Sequence, residues 1–87
     1  MKTIYKYQLT LSDSPITMPK GAEILTVKLQ NDTPTLWALI DTYVGLEESR
    51  LIVIRGTGQA IEDNAKYIAT YVDGPFVWHI FELTDLI

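Results

Sequence analysis

The sequence predicts an all-β fold: about six short antiparallel strands in a small sandwich or open barrel, with at most one short helical turn. Three observations lead there. Apolar residues recur with a period of two, turn residues punctuate the chain at short intervals, and no segment carries apolar residues at clean helical spacing.

Residues 3–11 set Tyr5, Tyr7, Leu9 and Leu11 on one side and Ile4, Lys6, Gln8 and Thr10 on the other, which is a half-buried strand. Ser12-Asp13-Ser14-Pro15 is turn chemistry, and Met18-Pro19-Lys20-Gly21 is a second turn in which Gly21 supplies a positive φ. Residues 23–30 alternate again, with Leu25, Val27 and Leu29 against Ile24, Thr26, Lys28 and Gln30. The short polar spacer Asn31-Asp32-Thr33-Pro34 then favours an antiparallel hairpin into residues 35–41.

This third strand differs from the first two. Leu36, Ala38 and Ile40 are apolar on one parity and Trp37 and Leu39 on the other, so both faces need cover. A loop over residues 42–49 carries Gly45 and the acidic pair Glu47-Glu48. Residues 50–55 follow as a fourth strand, again apolar on both parities, which Gly56-Thr57-Gly58 ends abruptly. Glu62-Asp63-Asn64-Ala65 reads as one helical turn or an irregular loop, because too few apolar residues follow at helical spacing for a long helix. Residues 66–72 and 76–83 are the last two strands, joined into a hairpin by Asp73-Gly74-Pro75.

Composition bounds the function. Eighty-seven residues suffice for one domain, residues 1–87, and leave little chain to cover strands with two apolar faces. That imbalance predicts a homo-oligomer. The absence of cysteine excludes a disulfide scaffold, thiol catalysis and a Cys-based zinc site. Seven Lys and Arg against eleven Asp and Glu argue against general nucleic-acid binding, which needs a basic surface. No apolar run approaches a membrane helix or a signal-peptide core, so the chain is expected to be cytoplasmic and soluble.

Few residues offer chemistry. The richest stretch is Arg55-Gly56-Thr57-Gly58-Gln59, where two glycines expose backbone N–H groups to an anion and Arg55 brings a guanidinium fork. It lacks the lysine of a phosphate-binding P-loop and the third glycine of a dinucleotide fingerprint. Arg50 is a second phosphate candidate. Trp37 and Trp78, with Tyr67 and Tyr71, are possible stacking platforms, and each also suits core packing. His79, the sole histidine, lies mid-strand on the parity of Val77 and Phe81, a position for a hydrogen-bonded core or interface residue. One histidine builds no multi-histidine metal centre, so no metal or other cofactor is expected.

Several stretches, in this order, carry a resemblance: residues 1–7, Met18-Pro19-Lys20-Gly21-Ala22, Leu36-Trp37-Ala38-Leu39-Ile40-Asp41, Gly56-Thr57-Gly58 and Phe76-Val77-Trp78-His79-Ile80-Phe81-Glu82. Together they resemble a family of small bacteriophage and prophage proteins of unknown function. The resemblance implies a histidine in many relatives where this chain has Gln59. The resemblance implies a phage setting, in which small accessory proteins act in counter-defence. The expected function is capture of a small anionic ligand, such as a nucleotide immune signal, without turnover. A protein–protein interaction module is the alternative, and an enzyme using His79 or a carboxylate is a third reading.

Overall fold

The computed structural model describes residues 1–84, so the last three residues of the expected 1–87 domain lie outside the description. Seven antiparallel strands follow one another: β1 (Lys2–Gln8), β2 (Pro15–Pro19), β3 (Glu23–Gln30), β4 (Thr33–Asp41), β5 (Glu47–Gly56), β6 (Ala65–Asp73) and β7 (Phe76–Leu83). They form two sheets, ordered β1-β4-β3 and β2-β5-β7-β6. The architecture is the expected all-β sandwich, with one strand more than the alternation revealed.

The added strand is β2, which lies between the two turns read from the sequence. Five residues are too few to display a period, and prolines at both ends obscure it. Proline lacks an N–H and fits an edge strand, where β2 sits, paired only with β5 from Pro15↔Leu51 to Pro19↔Glu47. Residues 62–65, read as one helical turn or an irregular loop, form a plain turn, closed by Ala65 N–H donating to Glu62 O at 3.0 Å. No helix occurs among the described residues.

Both short hairpins follow from turn chemistry. Asn31 and Asp32 hold φ of 50° and 62° between the paired residues Gln30 and Thr33. Two consecutive left-handed residues define a type I′ turn, whose twist matches that of the strands. In the second hairpin Gly74 takes φ 58° directly before Pro75, the type II′ arrangement.

The core lies between the sheets. Leu36, Ala38 and Ile40 of β4 and Val27 of β3 face Ile52 and Ile54 of β5, Ile80 of β7, Met18 of β2 and Tyr71 of β6. Leu36, Met18 and Ile80 are wholly buried, each such side chain contributing roughly 1.5–3 kcal/mol relative to exposure. Along one side β3 and β6 pack against each other. Each of these two strands carries a bulge, β3 at Leu25 and β6 at Ile68, and bulges bend a strand. The sheets therefore lean together at this seam without joining their ladders.

The two-faced strands occupy the central positions. In β4 the second apolar row, Trp37 and Leu39, is half-buried on the outer face of the first sheet. In β5 and β7 the second row is Leu51, Val53, Phe81 and Leu83, on the outer face of the second sheet. Val53 is fully buried although it stands apart from the core cluster.

Candidate functional site

The structure gathers most of the predicted residues at one end of the second sheet. Gly56 ends β5, and Gln59 N–H donates back to Gly56 O at 3.1 Å, closing a turn over Thr57 and Gly58. Gly58 holds φ 92°, the third-position glycine of a type II turn. The Gln59 side chain then accepts from the Gly56 N–H. The Gly56 amide, one of those expected to face an anion, is thus used inside the turn itself.

Arg55 is also committed. Its guanidinium donates to both Asp13 carboxylate oxygens at 3.0 and 2.9 Å and to both Glu62 oxygens at 3.3 and 2.6 Å. One side chain therefore pins the β1–β2 and β5–β6 connections to the end of β5. The carboxylates hold the Arg55 pKa above the ordinary guanidinium range, and Arg55 in return holds both carboxyls below their usual values. Arg50 lies toward the opposite end of β5 on the inner face. It donates through Nε and Nη2 to Glu82 and through Nη1 to Ala22 O at 2.8 Å.

His79 sits on the outer face, opposite Arg55 on β5 and Thr70 on β6. Its Nε2 shares a hydrogen bond with Thr57 Oγ1 at 2.8 Å and its Nδ1 one with Thr70 Oγ1 at 3.1 Å. Thr70 continues to the Tyr67 hydroxyl at 2.7 Å. Four polar side chains from β6, β7 and the glycine turn thus form one continuous chain. Trp78 precedes His79 on β7 and faces inward. Its ring comes so close to Gly56 that a Cβ there would stand 3.3 Å from Cζ3, and it pairs at a tilt with Phe76, centroids 6.0 Å apart. Phe76, Trp78, Pro75, Val77, Gly56 and Thr57 line a cleft of about 380 Å³.

Trp37 is not part of this end. It stands on the outer face of the first sheet, opposite Lys6 on β1 and Thr26 on β3. Lys28 lies two residues along β3 from Thr26, on the same face. Lys6 Nζ donates to Gln30 Oε1 at 2.8 Å, reaching across β4 past Thr35, which is 1% exposed. Among the described residues neither Lys6 nor Lys28 is paired with a carboxylate.

A family model described as a domain of unknown function, DUF7352, matches residues 1–86. The chain belongs to the DUF7352 family. Nothing among curated proteins or solved structures matches it.

This DUF7352 domain therefore presents two separate polar–aromatic surfaces. The histidine end of the second sheet offers hydroxyls aligned by an imidazole beside an aromatic cleft. The outer face of the first sheet offers an indole between two lysines. Among the described residues no three His, Asp or Glu side chains converge as they would on a metal ion, and no helix is long and apolar enough to cross a membrane.

Thr70, Lys6 and Lys28 join these surfaces without having been singled out from sequence, and Tyr67, read there as a stacking platform, joins through its hydroxyl. Counting back from the Asp73↔Phe76 pair at the hairpin puts Thr70 opposite His79. The same count from Gln30↔Thr33 puts Thr26 opposite Trp37, with Lys28 beside it. The β6 bulge hides Tyr67 from such counting, and no short turn links β1 to β4 to reveal Lys6.

Proposed function

We propose that this domain is a binding protein that captures a small anionic ligand of the nucleotide class on the outer face of its first sheet, without turning it over. One observation carries the reading: Lys6 and Lys28 flank the half-buried Trp37 with no carboxylate partner among the described residues. Both arginines, by contrast, are engaged by carboxylates of their own chain. An indole surface accepts a base of any sequence by stacking, and adjacent ammonium groups complement phosphate. In an acidic chain, a local cationic face of this kind selects a small phosphorylated ligand over a long nucleic acid, which the remaining surface repels.

The resemblance to phage and prophage proteins supplies a setting, the host cytoplasm, where sequestration of a nucleotide immune signal is the use of such a protein. Assembly belongs to the same reading. Tyr67, Val72 and Val77 are 58%, 63% and 36% exposed on the outer face of neighbouring β6 and β7, a surface for a second copy of the chain. Light scattering measures that state, and a mass of one chain at working concentration removes the assembly from the proposal.

The ligand test is calorimetric titration of cyclic dinucleotides and ADP-ribose derivatives. Trp37→Ala is expected to weaken binding at least about tenfold, in line with roughly 1–3 kcal/mol for a stacked base. Indole emission from a Trp78→Phe variant, in which Trp37 is the sole reporter, should change on titration. Absence of binding by every compound, or binding unaffected by Trp37→Ala, rejects the reading.

A further inference from the structure

We infer that Thr57 is an acyl-accepting nucleophile whose hydroxyl is activated by His79, giving the histidine end of the second sheet a reactivity toward activated esters. The inference rests on a different sheet and different residues from the ligand face. Three features carry it. Thr57 Oγ1 lies 2.8 Å from His79 Nε2, within proton-transfer reach. The opposite ring nitrogen is held 3.1 Å from Thr70 Oγ1, itself 2.7 Å from the Tyr67 hydroxyl, so a third group orients the base. Thr57 also borders the cleft lined by Pro75, Phe76, Val77 and Trp78, which suits an apolar or aromatic acyl donor.

The local backbone favours exposure of the hydroxyl. Thr57 occupies the second position of a turn whose third position is Gly58 at φ 92°, and a glycine on either side leaves the approach to its Oγ1 free of neighbouring β-carbons. In the tautomer with a proton on Nδ1, that N–H donates to Thr70 and Nε2 accepts from Thr57. The step then balances as follows. The Thr57 oxygen attacks the carbonyl carbon of the ester while its proton passes to His79 Nε2. The tetrahedral adduct collapses, the bond from carbonyl carbon to leaving oxygen breaks, and the leaving group departs as an anion. The products are Thr57 O-acylated, the released phenolate and a proton that His79 returns to solvent. Thr70 and Tyr67 touch neither reacting atom, so they are positioning residues.

The test is incubation of the full chain with p-nitrophenyl acetate, with peptide mass spectrometry locating each added acetyl group. Lysine acetylation in the same sample provides the internal reference. Thr57 is expected to label at least tenfold faster than exposed Thr42, and His79→Gln should abolish the difference while lysine labelling stays constant. Thr57→Ser, which keeps the hydroxyl, should label at the same position. Thr70→Val should shift the pH dependence of labelling, a readout that loss of packing alone would not move. Far-UV circular dichroism confirms that each variant is folded; a folded Thr57→Ser that labels as above keeps the question decidable if His79→Gln is not. Labelling of Thr57 no faster than of Thr42, or undiminished in folded His79→Gln, overturns the inference.

Discussion

Arg50 on β5 binds Glu82 on β7 through two N–H groups, Nε and Nη2, one to each carboxylate oxygen. The pair lies on the inner face, the guanidinium 17% and the carboxylate 13% exposed, and Arg50 also donates to Ala22 O at the start of β3. It therefore ties both sheets together at the end of the sandwich away from His79. Glu82→Gln keeps the shape and removes the charge, so about 1.5–3 kcal/mol of stability should be lost in urea denaturation. A double replacement, Arg50→Met with Glu82→Leu, should recover most of that, because neither charge is left without its partner. A double variant no more stable than the single one would show that the guanidinium contact to Ala22 O, not the ion pair, holds the sheets.

Acid should loosen the opposite end first. Hydrogen bonds from Arg55 hold the Asp13 and Glu62 carboxyls below their ordinary values of 3.8 and 4.5. A carboxyl whose folded pKa is depressed adds stability that is present above the unfolded value and lost as pH falls through the folded one. Stability is thus expected to be flat from neutral pH down to about 5 and to decline below about 4.5. Thermal melts across that range should show a shallower decline in Arg55→Met. Both carboxylates are solvent-exposed, so moderate salt should reduce the difference between the two proteins.

The fold was largely legible because period and turn chemistry act locally. Alternation located β1 and β3, and the turn residues Asn31, Asp32 and Gly74 fixed two hairpins whose registers follow by counting. β2 escaped because its identity comes from pairing with β5, a contact 28 to 36 residues away that five residues cannot encode. The site was legible in part for the same reason. Thr57 and His79 stood out as residue types, whereas their union depends on β5 lying beside β7, a non-consecutive pairing. Arg55 and Arg50 looked like free phosphate forks since nothing local shows that Asp13 and Glu82 will reach them.

The two tight turns predict opposite effects. Asp32 holds φ 62° in a type I′ turn, where glycine pays no Cβ penalty, so Asp32→Gly should stabilise the protein by about 0.5 kcal/mol. Gly58→Ala places a Cβ at φ 92° and should destabilise it by about 1–2 kcal/mol even though the space around it is open. Urea midpoints for the pair decide both. A stabilising Gly58→Ala would mean the glycine turn relaxes out of its type II form.

Lys6 and Lys28 are not equivalent probes of the Trp37 face, although both are exposed lysines beside the same indole. Lys6 spans β4 to Gln30 over the buried Thr35, so Lys6→Ala removes a structural hydrogen bond and uncovers a polar group. It should cost about 0.5–1 kcal/mol in stability as well as any ligand affinity. Lys28 has no such bond among the described residues, so Lys28→Ala should leave the urea midpoint unchanged and isolate the electrostatic contribution. Titrating a cyclic dinucleotide against the parent and Lys28→Ala at rising potassium chloride separates the effects. The parent should lose affinity with salt and converge on the variant, because screening removes what the ammonium adds. Parallel salt curves for the two proteins would place the anion elsewhere than beside Trp37.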